Sequence, residues 1–153
     1  MAEIFDPGTI IPQDSLGPLL NRVRAVLAAG VEQALQADED IAAYGLTYAQ
    51  CAVLATLHHD ETQCANEMCK LLTYDRGAMS RMLDRLEEKQ MIRRVRRPGK
   101  RRMISLEITK DGERLFPKIR ATVIGVLNQQ LRGISKSEVR QVEGVLRRML
   151  ANG

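Results

Sequence analysis

The stretch that decides the fold runs from residue 75 to residue 108 and reads DRGAMSRMLDRLEEKQMIRRVRRPGKRRMISLEI. In its first half, apolar residues recur at the spacing of one helical face turned towards a core. These residues are Met79, Met82, Leu83 and Leu86. Beyond Gln90 the apolar period changes to two, which is the period of a β-strand. The stretch therefore predicts a helix from Asp75 to about Lys89, followed by a β-hairpin.

The hairpin has a turn signal at its tip and basic residues around it. Pro98-Gly99 predicts a type II turn between strands over 92–97 and 102–108, because Pro presets the first central φ and Gly accepts the positive second one. The rim of this hairpin carries Arg96, Arg97, Lys100, Arg101 and Arg102. A hairpin that only covered a core would need no such basic rim.

Positive charge is concentrated in this part of the chain. From Thr73 to Arg102 there are 11 Lys or Arg and four Asp or Glu, a balance of +7, so the rest of the chain stands at −3 within a total of +4. Such a contiguous basic segment indicates a polyanion binder, whereas a solvated basic face is the alternative without a function.

Two shorter helices precede the decisive stretch. Thr47 and Gln50 form a capping-box pattern that opens a helix from Tyr48 to about His58, and a second short helix is predicted over 65–71. Two helices joined by a tight turn and followed by a hairpin are typical of a winged helix-turn-helix, a mainly α fold with a small β-hairpin wing (α+β). In such a fold the second helix of the helix-turn-helix, here the one predicted over 75–89, enters the DNA major groove, which is about 12 Å wide.

Helical patterns flank this lobe on both sides. The segment 1–15, with its prolines and no periodicity, predicts an extended arm, and a long helix is predicted from Leu16 to about Ala43. A further helix is predicted from Thr109 to about Leu131. The capping-box pattern of Ser135 and Glu138 opens a last helix.

Composition excludes several classes of protein. With 44% hydrophobic but only 3% aromatic residues and no Trp, the core must consist of aliphatic side chains and Met, which favours helices. No apolar run is long enough for a membrane span and no secretory signal pattern is present, so a cytoplasmic protein is expected. Two histidines without a paired nucleophile, no phosphate-binding loop and no metal-ligand cluster predict neither an enzyme nor a cofactor or metal site.

From Leu46 to Leu115 the chain resembles the multiple antibiotic resistance regulator (MarR) family of winged helix-turn-helix transcriptional regulators. The matching stretches are Leu46-Thr47-Tyr48-Ala49-Gln50, Met79-Ser80-Arg81-Met82-Leu83-Asp84-Arg85-Leu86-Glu87, Met91-Ile92, Arg101-Arg102 and Ile108-Thr109-Lys110-Asp111-Gly112. The resemblance implies a homodimer that binds a pseudo-palindromic double-stranded DNA operator, represses nearby genes and is released by a small phenolic or carboxylate ligand. It divides the chain into the arm, a dimerisation helix at 16–45, the DNA-binding lobe at 46–108 and C-terminal dimerisation helices at 109–153.

The resemblance also carries over site residues by position. On the helix predicted over 75–89, Gly77, Ala78 and Arg81 would approach base edges. Arg76, Ser80 and Arg85 on the same helix would serve phosphates or local structure. In the wing the resemblance carries over Arg101 and Arg102, and the basic rim of the hairpin adds Arg96, Arg97 and Lys100 as expected DNA contacts. The candidates for the ligand pocket are Arg24, Tyr44, Tyr48, His58 and Arg120.

Three positions depart from the family pattern. Lys100 replaces the Asp that usually holds the last wing arginine, which leaves the orientation of the wing open. Cys64 replaces the usual Ser or Thr cap of the short helix at 65–71, and Gln90 replaces a Gly after the second helix.

Two other functions fit the same fold. Cys64 at a helix N-terminus raises the alternative of a cysteine-based oxidant sensor, against the interpretation that it is only a substituted cap. The Lys100 departure raises the alternative of a helical dimer that binds a protein partner and no longer binds DNA. Cys51 and Cys69 are expected to serve packing.

Overall fold

The computed structural model describes residues 4–5, 8, 13–96 and 104–153. Their elements are α1 (Leu16–Gln36), α2 (Glu39–Ala42), α3 (Tyr48–His58), α4 (Ala65–Leu72), α5 (Arg76–Glu88), β1 (Ile92–Arg96), β2 (Ile104–Ile108), α6 (Lys110–Gln130) and α7 (Lys136–Asn152). The mainly α fold with a two-stranded hairpin is confirmed. Most of the arm and the predicted turn at Pro98-Gly99 lie outside the described residues.

The predicted long helix from Leu16 to about Ala43 is wrong at its C-terminal end. The helix stops at Gln36, and Asp38 takes an extended conformation in which its side chain accepts a hydrogen bond from the backbone N–H of Asp40. This new N-cap starts α2, whose Ile41 is fully buried. Lys118 of α6 forms ion pairs with Asp38, at 3.0 Å, and with Asp40. A distant cation therefore holds the break, which periodicity in the local sequence does not reveal.

The helix caps predicted from sequence are present. Thr47 accepts a hydrogen bond from the backbone N–H of Gln50, whose side chain accepts one from the backbone of Thr47, and this closes the box at the start of α3. Ser135 and Glu138 form the same box at the start of α7. Each box satisfies two backbone donors that a helix N-terminus leaves unpaired, so these helices begin where their sequences indicate.

The hairpin is antiparallel, with Ile92 opposite Ile108 and Arg96 opposite Ile104. It is joined to the lobe through Gln63, whose backbone carbonyl accepts from the N–H of Leu106 at 2.9 Å and whose side-chain oxygen accepts from the hydroxyl of Ser105 at 2.9 Å. The hairpin is therefore bonded along β2 to the segment before α4.

The core lies where α3, α5, α6 and the hairpin meet the C-terminal half of α1. Its buried apolar residues are Val31, Leu35, Ile41, Leu46, Cys51, Val53, Leu54, Leu57, Met68, Met79, Leu83, Leu86, Met91, Ile92, Leu106, Leu115, Phe116 and Ile119. α6 packs against both α1 and α3, so it joins the lobe to the flanking helices. None of the residues of α7 is buried.

Candidate nucleic-acid interface

Helix α5 turns one face to the core and the other to solvent. Met79, Leu83 and Leu86 are buried, in agreement with the predicted apolar spacing. Of the residues predicted to contact DNA on this helix, Ala78 is half-buried and the others are exposed, namely Arg76, Gly77, Ser80, Arg81 and Arg85. The helix thus presents small residues near its N-terminus and arginines along one accessible face.

The N-terminus of α5 is fixed by its cap and by the turn before it. The side chain of Asp75 accepts a hydrogen bond of 2.8 Å from the N–H of Ala78, and this bond lowers the pKa of the carboxyl group below its ordinary value. Thr73, in the turn after α4, has a left-handed φ of 56°, and the N–H of Tyr74 donates to the carbonyl of Cys69 at 2.9 Å. This tight turn sets α5 at an angle to α4, as a helix-turn-helix requires.

Arg94 of β1 joins the hairpin to α5. Its guanidinium donates to Asp84 at 2.6 Å and to Glu87, and its backbone N–H donates to the second carboxylate oxygen of Glu87 at 3.1 Å. Partial burial disfavours the charge on Arg94, but the hydrogen bonds to Asp84 and Glu87 outweigh this and raise its pKa. The hairpin is therefore oriented at its base, next to the helix that precedes it.

No role for Arg94 was predicted from the sequence. Its charge was counted, but the contact depends on how β1 crosses α5. Asp84 and Glu87 are one helical turn apart, and a pair of acids at that spacing followed by a basic strand was the available signal.

The tip of the predicted wing lies mostly outside the described residues. Arg96 is exposed at the end of β1, whereas Arg97, Lys100, Arg101 and Arg102 are not among the residues that the structure describes. Their contacts with DNA remain predictions.

The start of α4 has no side-chain cap, and a threonine before it bonds the N-cap residue. The side chain of Cys64, the N-cap residue, makes no capping hydrogen bond. The hydroxyl of Thr62 accepts from the N–H of Cys64 at 3.0 Å and donates to Glu67 at 2.5 Å. Thr62 thus satisfies the N–H of Cys64, which Glu67 would bond in a capping box, and it holds Glu67 in place.

Gln90 has a left-handed φ of 59° at the end of α5. A residue with a Cβ is disfavoured there relative to Gly. The hydroxyl of Thr109 donates to the backbone carbonyl of Gln90 at 2.6 Å and so helps to hold the conformation. Gln90, which replaces the family's usual Gly, therefore takes a left-handed backbone conformation that Gly would adopt with less strain.

The five ligand-pocket candidates do not come together. Tyr48 and Arg120 line one cavity of about 240 Å³ between α3 and α6. His58 instead pairs with Glu113 at 2.9 Å and stacks on a neighbouring aromatic ring. Tyr44 packs against the core, and Arg24 is exposed on α1. The structure thus places only Tyr48 and Arg120 in this cavity.

Cys51 also lines the cavity, and burial raises the pKa of its thiol to about 12. All three cysteines are free thiols. A thiol with so high a pKa is almost entirely protonated near neutral pH and is a poor nucleophile. Cys51 therefore contributes an apolar wall, as the packing role predicted from sequence requires.

Two other kinds of site are missing from the described part of the chain. Within it, no group of three or more His, Cys, Asp or Glu side chains is placed to hold a metal ion. None of the helices described there combines the length and apolar character that crossing a membrane requires.

Comparisons with known proteins agree with this geometry. Residues 46–104 match the profile of the MarR family. The chain is 30% identical over 106 residues to the multiple antibiotic resistance protein MarR of Salmonella typhimurium. This alignment covers 69% of this chain and 74% of that protein. The chain is also 29% identical over 103 residues to the transcriptional repressor MdtR of Bacillus subtilis. This alignment covers 67% of this chain and 66% of that protein.

Solved structures show the same fold. A MarR-family transcriptional regulator from Rhodococcus sp. RHA1 superimposes with a TM-score of 0.78 at 23% identity, over 95% of this chain and 99% of that one. CouR from Rhodococcus jostii RHA1, in a structure bound to p-coumaroyl-CoA, gives a TM-score of 0.76 at 24% identity, over 90% of this chain and 93% of that one.

Proposed function

Because this chain belongs to the MarR family, we propose that it is a homodimeric repressor that binds a pseudo-palindromic DNA operator and is released by a small organic ligand. Members of this family are transcription regulators and not enzymes. The relative MdtR is named as a repressor, which supports the same sign of regulation here.

The observation that carries the proposal is the exposed face of α5. Arg81 and Arg85 lie on this face, Arg76 is exposed in the first turn of the helix, and the cap at Asp75 fixes the end of the helix that would meet base edges. Arg81 makes no hydrogen bond or ion pair among the described residues, so its guanidinium is free to contact a base. An arginine that bonds a guanine at two atoms discriminates by about 1 to 3 kcal/mol, whereas phosphate contacts set affinity and register.

Apolar surface left uncovered by this chain supports a homodimer. Val23 of α1 is 55% exposed, and Val142 and Leu150 of α7 are 57% and 75% exposed. The ends of α1 and α6 also enclose an apolar cavity of about 420 Å³, lined by residues such as Leu127 and Ile134. We propose that α1, α6 and α7 of a second copy cover these surfaces. The dimer then presents two α5 helices to successive major grooves, about 34 Å apart.

The cavity between α3 and α6 is the proposed effector site. Tyr48 offers a phenol, and Arg120 is the one residue with a permanent charge among the described residues that line it. An apolar cavity with a single cation suits a small aromatic or aliphatic carboxylate, or a phenol. CouR was solved with p-coumaroyl-CoA, so a protein of this fold takes a phenolic ligand of that kind.

The test begins with selection of bound duplexes from a random pool, which gives the half-site and the spacing between half-sites. Affinity for the selected operator is then measured between about 50 and 200 mM salt, where six or more phosphate contacts make it fall steeply. The expected result is a palindrome with a steep salt dependence. Failure to enrich any sequence, together with weak binding that ignores salt, would favour the protein-binding dimer instead.

The role of Arg81 is tested on the selected operator and on random duplex. Arg81→Ala is expected to weaken operator binding more than binding to random DNA, because a base contact is lost. Arg147→Ala is the charge-matched control, since Arg147 lies exposed on α7 and pairs with Glu143. Equal losses on both DNAs would show that Arg81 contacts only phosphate.

A further inference from the structure

The side chain of Arg81 lies back along α5 towards the helix N-terminus. One guanidinium nitrogen, Nη1, is 3.3 Å from the position that a Cβ on Gly77 would occupy. Gly77 is one turn before Arg81 on the same exposed face. The long side chain therefore reaches the end of the helix that is proposed to meet base edges, and it does so across a residue without a side chain.

Asp75 borders the same space from the other side. Its Oδ1 is 3.2 Å from the position of that missing Cβ and is held in place by the N–H of Ala78. The hydrogen bond from Ala78 is the largest cause of the lowered pKa of Asp75, and the positive charge of Arg81 lowers it further. Among the described residues, Arg81 and Asp75 do not approach closely enough to form an ion pair, so Arg81 is attracted to this end of the helix without being locked there.

We propose that Gly77 is a positioning residue for Arg81: its missing side chain leaves the space in which the guanidinium lies when it reads the operator. This inference rests on the proposed function, in which Arg81 contacts a base. A contact below about 3.4 Å is tighter than ordinary van der Waals packing, so a methyl group at position 77 shifts the guanidinium of Arg81 and the carboxylate of Asp75 by a few tenths of an ångström. Contact with a guanine at two atoms demands fixed geometry, and a small displacement weakens it without abolishing DNA binding.

The experiment is a double-mutant cycle with Gly77→Ala, Arg81→Ala and the combined variant. For each protein, the ratio of Kd on random duplex to Kd on the selected operator is measured at one salt concentration. We expect Gly77→Ala to reduce this ratio about three- to tenfold when Arg81 is present, and to change it less than about twofold when position 81 is Ala.

Two results would overturn the inference. An unchanged ratio in Gly77→Ala shows that the space over Gly77 is not needed. An equal reduction in both backgrounds shows that Gly77 acts through its own close approach to DNA and not through Arg81. Because each ratio compares two DNAs with the same preparation, a partly unfolded fraction cancels and does not obscure the outcome.

A matched control is available at Gly17, where an added Cβ meets no atom within 4 Å. Gly17→Ala lies on the polar face of α1 and is expected to leave the ratio unchanged. Failure of the proposed function gives a different result from failure of this inference. If the proposed function is wrong, the wild-type protein enriches no sequence from the random pool. An inference that fails alone leaves the wild-type preference for the operator intact.

Discussion

The DNA-binding lobe and the flanking helices differ in how much of their apolar surface one chain covers. In the lobe, the apolar faces of α3 and α5 and the base of the hairpin are buried, and Arg94 and Gln63 bond the hairpin to the helices. By contrast, α7 has no buried residue. Burial of apolar surface is the main driving force for folding, so the lobe is covered within one chain, whereas the exposed apolar face of α7 is the part that the proposed second copy would cover.

The largest expected effect comes from the lobe core. Leu86 is fully buried on α5, so Leu86→Ala leaves a cavity and should lower the free energy of unfolding by about 2 to 5 kcal/mol. Denaturant unfolding at fixed protein concentration measures this loss. Leu150→Ala is the comparison, because Leu150 is 75% exposed in the single chain. A loss for Leu150→Ala as large as that for Leu86→Ala, at a concentration where the protein is monomeric, would contradict the distinction between the two regions.

A charge placed in the proposed dimer surface should weaken the dimer while leaving the DNA-binding lobe folded. Val142→Glu places a carboxylate on the apolar stripe of α7, and burying it in an interface is costly. We expect the dissociation constant of the dimer to increase at least about 100-fold, which corresponds to about 2.7 kcal/mol of association free energy. Sedimentation measures this change.

Operator affinity should fall with the dimer in Val142→Glu, because a single lobe reaches only one half-site. The circular dichroism of the lobe should be retained. Gln141→Glu, next to it on the polar side of α7, should leave the dimer intact. A dimeric Val142→Glu would show that another surface joins the subunits.

Removal of the Arg94 contact should loosen the hairpin without unfolding the lobe. Arg94→Met keeps much of the side-chain volume but leaves Asp84 and Glu87 unpaired beside the proposed DNA surface. Operator affinity is expected to fall about tenfold, since two unpaired acids repel phosphates and the hairpin loses its orientation.

Arg93→Met is the matched control for Arg94→Met, measured by anisotropy on the same operator. Arg93 is 65% exposed and, among the residues that the structure describes, pairs with Glu107 across the strands, whereas Arg94 is 27% exposed. Both changes remove one positive charge from adjacent positions. Identical losses for the two variants would mean that charge alone matters and that the contact to α5 does not.

The smallest effect is expected at Gln90. Gln90→Gly removes the strain of a left-handed residue with a Cβ but adds chain entropy to the unfolded state, so a net gain in stability of about 0.5 to 1 kcal/mol is expected. Ala121→Gly, at an exposed position in the interior of α6, should instead destabilise by about 1 kcal/mol. Thermal unfolding of the two variants at one protein concentration checks the opposite signs.

Much of the fold followed from local signals. The apolar spacing of Met79, Leu83 and Leu86 predicted the buried face of α5, and the boxes at Thr47 and Ser135 predicted where two helices begin. The candidate site was predicted less completely. The residues of α5 that were predicted to contact DNA are exposed or half-buried, and their contacts with DNA stay predictions. Of the ligand candidates only Tyr48 and Arg120 share a cavity, since His58 pairs with Glu113, Tyr44 packs against the core and Arg24 is exposed on α1.

The sequence by itself determined which segments are helical, that a hairpin follows α5 and where positive charge collects, because caps and periodicity act between residues a few positions apart. Only the tertiary structure decided the contacts that join distant segments. Lys118 holds the break between α1 and α2, Arg94 reaches the acids of α5, and Gln63 receives the hairpin. These contacts depend on how the elements cross in space, which caps and periodicity within one element do not specify.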